Sequence, residues 1–71
     1  MTDQELADHI LHRLYHGAFV VGVDYATNLY EFAKELSVEN DRAWKIFYRL
    51  QDQSLAKLYS SGGNICITSD G

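Results

Sequence analysis

Residues 29–68 set two short apolar repeats of helical period four residues apart, then two strand-like runs around a glycine-containing loop, an order that few small folds accept. The first repeat carries Leu29, Phe32, Ala33 and Leu36, and the second carries Ala43, Ile46, Phe47 and Leu50. Both follow the i, i+3, i+4, i+7 spacing that gathers apolar groups on one side of a helix, so each helix has one face to bury. Between them Ser37-Val38-Glu39-Asn40 breaks the repeat with poor helix formers, and Asn40 is a candidate N-cap for a second helix over 39–53. After Leu50 the runs Leu55-Ala56-Lys57-Leu58-Tyr59 and Ile65-Cys66-Ile67-Thr68 flank Ser60-Ser61-Gly62-Gly63-Asn64, which predicts a β-hairpin over 55–68.

About two thirds of the chain resembles the winged helix-turn-helix DNA-binding domains of transcriptional regulators. Phe32-Ala33-Lys34-Glu35-Leu36-Ser37-Val38 is similar to their LAKELGV segment, Leu50 to Leu58 to the LxxxGLI that leads into the wing, and Ile67-Thr68-Ser69-Asp70-Gly71 to the LTxxG that follows it. Ser37 and Ser54 stand where that family usually has glycine, and Glu39 stands where a serine or threonine usually caps the recognition helix. The resemblance implies an α+β fold of order α1–β1–α2–α3–β2–β3, a three-helix core with a small antiparallel sheet. It also implies helix 39–53 in the major groove of a duplex and wing 55–68 along the backbone.

Upstream, a first helix is expected from Thr2 or Asp3 to His16, with Leu6, Ile10, Leu11 and Leu14 buried and Gly17 as its stop. Asp3, Glu5 and Asp8 in its first turns complement the helix dipole. Phe19 to Val23 is expected to supply the short strand that, in winged helices, pairs with the hairpin. Thr27 or Asn28 would cap the next helix, with Glu31 in capping-box position relative to Asn28. Phe32, Leu36, Ile46, Phe47, Leu50, Leu55 and Ile67 are the expected core.

Seventy-one residues with 46% apolar and 23% charged side chains describe one small globular domain, 1–71. No apolar run approaches the roughly 18 residues of a membrane helix, so no membrane partner is expected. The acidic, polar start is not the basic end of a secretory signal. With one cysteine the chain forms no internal disulfide, and a cytoplasmic location is expected. In the resembled family the Thr-x-x-Gly after the wing starts another helix, and the sequence stops at that glycine. A domain cut from, or leading, a longer protein is expected.

No serine-nucleophile elbow, phosphate loop or HExxH zinc motif is present, so neither enzymatic activity nor a cofactor is expected. Glu5, His9, His12 and His16 fall within about 60° on the side of helix 1 opposite Leu6, Ile10 and Leu14. They read either as a metal stripe or as a solvated polar face. A closed zinc site needs four ligands and a catalytic one three with oriented supports, so the solvated face is the expectation and no metal site is assigned. Cys66, between Ile65 and Ile67 with no cationic neighbour, reads as a structural thiol.

Charge placement separates the halves of the chain. Residues 1–41 hold eight acids and two bases, whereas residues 42–71 hold four bases and two acids, within a net charge of −4. Arg42, Lys45 and Arg49 lie on helix 39–53 and Lys57 on the wing, the two elements this kind of fold aims at DNA. Against that stand Glu39 and Asp41 at the end that meets base edges, and a wing tip, Ser60 to Asn64, without a cation. Asn40 suits either adenine readout or capping. Trp44 and Tyr48, one turn apart and off the apolar stripe, suit a protein hot spot, packing at the core edge, or nucleic acid. Two functions therefore stand. The first is a DNA-binding domain of a transcriptional regulator, with Arg42, Lys45, Arg49 and Lys57 on phosphates and Asn40 and Tyr48 nearest the bases. The alternative is a winged-helix module that docks a protein through Trp44, Tyr48 and the flanking cations.

Overall fold

A computed structural model describes residues 1–22 and 25–68. It contains α1 (Asp3–Val20), β1 (Thr27–Asn28), α2 (Leu29–Glu35), α3 (Asn40–Asp52), β2 (Ala56–Leu58) and β3 (Asn64–Ile67). That order, with a three-stranded antiparallel sheet in which β3 lies between β1 and β2, is the topology of a winged helix.

Local chemistry sets most of the helix ends. The Thr2 hydroxyl accepts the Glu5 N–H and the Glu5 carboxylate accepts the Thr2 N–H, each at 3.1 Å, a reciprocal capping box that starts α1. These contacts, the Thr2 backbone N–H first and its hydroxyl second, hold the Glu5 carboxyl below the usual carboxylate range. Asn28 caps α2 by accepting the Glu31 N–H at 3.1 Å, while its amide donates to the Gly62 carbonyl at 3.2 Å. One side chain thus starts a helix and holds the tip of the hairpin.

The ends of α2 and α3 share one device. Val38 N–H donates to Ala33 O and Ser37 N–H to Lys34 O. In the same way Leu55 N–H donates to Leu50 O and Ser54 N–H to Gln51 O. These are two Schellman motifs, and each needs a left-handed residue just past the helix. Ser37 and Ser54 fill that place with φ of 58° and 60°. Glycine adopts that conformation at the least cost, so serine at both places carries local strain.

Leu6, Ile10 and Leu14 of α1, Leu29, Phe32 and Ala33 of α2, and Ala43, Ile46, Phe47 and Leu50 of α3 close over Ala56, Ile65 and Ile67 of the sheet. Burying a large apolar side chain stabilises the fold by about 1.5–3 kcal/mol. These side chains are the main holding force in a chain this short. At the edge, Arg13 reaches from α1 to Glu35 at 3.2 Å and lies 4.6 Å from the centre of the Phe32 ring.

Four expectations need correction. Helix α1 does not stop at Gly17 but runs to Val20, because Gly17 is a packing site: a Cβ there would lie 2.0 Å from the Tyr25 ring. Phe19 and Val20 are consequently helical rather than strand, and the first strand is Thr27–Asn28; Val23 lies outside the described residues. Asn40 is the first residue of α3, not its cap. Glu39 holds the cap position and its side chain makes no capping bond. Leu36 and Leu55 are half-buried, since each sits at a helix exit where the chain turns away from the core, and Leu11, at the edge of the α1 stripe, is half-buried too.

Candidate interaction surface

Helix α3 projects its polar side away from the core, and the exposed Asp41, Lys45, Tyr48 and Asp52 recur at spacings of four, three and four along that side. The outermost line of the helix therefore holds two carboxylates, one ammonium and one phenol. Glu39 adds a further exposed carboxylate at the helix start.

The arginines turn elsewhere. Arg42 donates from Nε to Asp3 Oδ1 at 3.2 Å and from Nη2 to the Met1 carbonyl oxygen, with Nη2 also 3.1 Å from Asp3 Oδ1. Arg49 Nη1 lies 3.9 Å from Asp3 Oδ2. Both oxygens of one carboxylate at the start of α1 thus face the two arginines of α3. Lys45 and Lys57 are exposed and belong to no ion pair among the described residues. Lys57 lies on β2 in register with Cys66, so both share the face of the sheet opposite Ile65 and Ile67. Cys66 is buried, as expected of a structural thiol.

Aromatic residues gather on the other flank of α3. The Trp44 indole meets Phe47 edge-on, with centroids 5.5 Å apart and planes at 88°. Tyr30 and Tyr48 lie beside the indole at 5.5 and 5.8 Å. Trp44 is half-buried, and its Nε1 is shielded from solvent with no acceptor among the described residues. Its ring is thus mostly a core-edge group that supports its neighbours. Tyr30 and Tyr48 are the exposed members, 47% and 52% accessible. Gly63 makes this arrangement fit, because a Cβ at that wing position would lie 2.6 Å from the Tyr30 ring.

Beside Tyr30 an open groove of about 490 Å³ runs between α2 and α3, lined by Tyr30, Glu31, Lys34, Val38, Glu39 and Asn40. Asn40 is exposed on its rim, with its side chain outside the cap position. Of the seven residues singled out from the sequence, the fold brings Trp44, Lys45 and Tyr48 to one surface and sets Asn40 at its groove. It turns Arg42 and Arg49 toward α1 and leaves Lys57 on the sheet.

Tyr30 was not among the seven. Its signal was present, an aromatic residue off the Leu29, Phe32, Ala33 stripe, but nothing local linked it to Trp44. The histidines of α1 are exposed, and among the described residues no group of three or more His, Cys, Asp or Glu side chains is placed to hold a metal ion. No helix among the described residues is long and apolar enough to cross a membrane.

No family model, curated protein or solved structure matches the chain.

Proposed function

We propose that this domain is a winged-helix protein-interaction module that docks its partner on the surface formed by Tyr30, Tyr48 and Lys45, with Trp44 as the rigid support beneath. The observation that carries this reading is the pairing of Arg42 and Arg49 with Asp3. A duplex would have to displace that carboxylate to use Arg42, and Arg49, 3.9 Å from the same carboxylate, would share its charge with it. An exposed ion pair is worth on the order of 1 kcal/mol or less, so displacement is cheap, but it cancels much of what the new phosphate contact would bring. The acidic outer line of α3 adds repulsion toward phosphates, whereas exposed tyrosines beside a supported indole suit a protein hot spot.

A second reading, duplex contact, is favoured by Lys45 and Lys57, the cations of α3 and β2 that pair with nothing among the described residues. The salt dependence of duplex binding separates the two. Two phosphate contacts give a log–log slope of about −1.8, and four give about −3.6. Fluorescence anisotropy with a pool of duplexes should show binding only at low salt, with the shallower slope. Saturable binding at physiological salt with the steeper slope would reject the interaction module. A photo-crosslinking side chain at position 48 should give a discrete protein adduct in cells, lost with Lys45→Glu; adducts only with DNA would also reject it.

A further inference from the structure

A second exposed stripe runs along the outer face of α1, away from the α2–α3 surface and independent of its reading. Phe19 is 90% accessible, and Val20 and Val21 follow at 66% and 70%. Three consecutive apolar residues left in water serve nothing in the core of this chain, and such runs mark contact surfaces. Asp8, His12, Tyr15 and Phe19, spaced four, three and four, line the side of α1 opposite Leu6, Ile10 and Leu14, and all four are exposed. Glu5 and His16 flank the line.

The stripe is polarised along its length. Glu5 and Asp8 occupy the first half beside His9, whereas the second holds no carboxylate but His12 and His16, whose rings stack with centroids 6.3 Å apart, followed by the apolar end. We propose that α1 pairs with the α1 of a second copy, antiparallel across a two-fold axis beside His12 and Tyr15. An isologous interface sets one patch against itself, so the patch must contain both halves of every contact. In the antiparallel arrangement the carboxylate half of each copy faces the imidazole and aromatic half of the other. A parallel one would set carboxylate against carboxylate.

An imidazole carries at least one N–H in either protonation state, so His16 can donate to Asp8 of the second copy. In the same register Phe19 comes over the Glu5 and Asp8 end of the other helix, where it loses its contact with water. From Asp8 to Phe19 the stripe is one helix wide and roughly 17 Å long at 1.5 Å per residue. That places the pair in the small, transient class of interfaces, about 1,200 Å² or less.

Sedimentation equilibrium of the 71-residue chain at about 10 μM and about 1 mM tests this, a range suited to weak association. The weight-average mass should be that of a monomer at the lower concentration and rise toward twice that value at the higher. Phe19→Asp changes an exposed residue and should stay monomeric at both, with an unchanged circular dichroism spectrum. Asp8→Lys and His16→Glu should each associate at least about tenfold more weakly, because the first removes the acceptor facing His16 twice and the second sets carboxylate against carboxylate twice. An equimolar mixture of the two should regain association. A monomer at the higher concentration, or a dimer indifferent to Phe19→Asp, would overturn the proposal. So would a mixture that associates no better than its components.

Discussion

Asp3 and Arg42, separated by 38 intervening residues, meet through the guanidinium Nε and Nη2, both on one carboxylate oxygen at 3.2 and 3.1 Å. The contact joins the start of α1 to the first turn of α3 and draws Arg49 toward the same carboxylate. Removing it should unmask basic character without harming the fold. Asp3→Ala is expected to lower stability by about 1 kcal/mol or less. It should also steepen the salt slope of duplex binding from about −1.8 toward about −3.6. Urea melts and anisotropy titrations at two salt concentrations check the two halves separately.

Gly17 sits inside α1, where alanine normally gains about 1 kcal/mol in helix propensity. Here a Cβ would lie 2.0 Å from Cδ1 and Cε1 of Tyr25, so the ring would have to leave its place. Gly17→Ala is expected to destabilise by about 1–3 kcal/mol. In a Tyr25→Ala background the same change should turn stabilising, and the double-mutant cycle by urea denaturation reads that change of sign.

Ser37 and Ser54 hold φ values near +60°, a region that costs an L-residue about 1–2 kcal/mol. Ser37→Gly and Ser54→Gly should each stabilise by about 0.5–1 kcal/mol, after allowance for the greater freedom of glycine in the unfolded chain. The sites end different helices, so the effects should add in the double variant, as read from thermal or urea melts.

The Glu5 carboxyl is held below its ordinary range by its contacts with Thr2. A depressed folded value means a contribution that is complete above the unfolded pKa and disappears as pH falls through the folded one. Wild type should therefore melt above Glu5→Gln at neutral pH, and the gap should close as acid is added. Melting curves from pH 7 to pH 2 follow it, and a gap that widened on acidification would contradict the assigned capping box.

Much of the architecture follows from local rules. The periodic repeats placed α2 and α3, the glycine-containing loop between strand-like runs placed the hairpin, and the capping candidates Thr27 and Asn28 placed the start of α2 to within a residue, with Asn28 as the cap. These features depend on residues a few positions apart, which is the range over which helical spacing and turn chemistry act. The helical stripe likewise fixed Ala43, Ile46, Phe47 and Leu50 as core.

The tertiary structure decided what distant residues do to one another. Gly17, by sequence a helix stop, became a seat for Tyr25, and α1 extended through residues that read as strand. Arg42 and Arg49, by sequence cations aimed outward from a recognition helix, instead face a carboxylate from the start of the chain. Tyr30 entered the aromatic surface because the wing turn and α3 converge on its ring. Side-chain pairing across the fold depends on how elements pack in space, and no periodicity within a segment encodes it. The sequence by itself determined α2, α3, the hairpin and most of their buried faces, and packing determined where α1 ends, where the first strand lies and which charges and aromatics remain free to meet a partner.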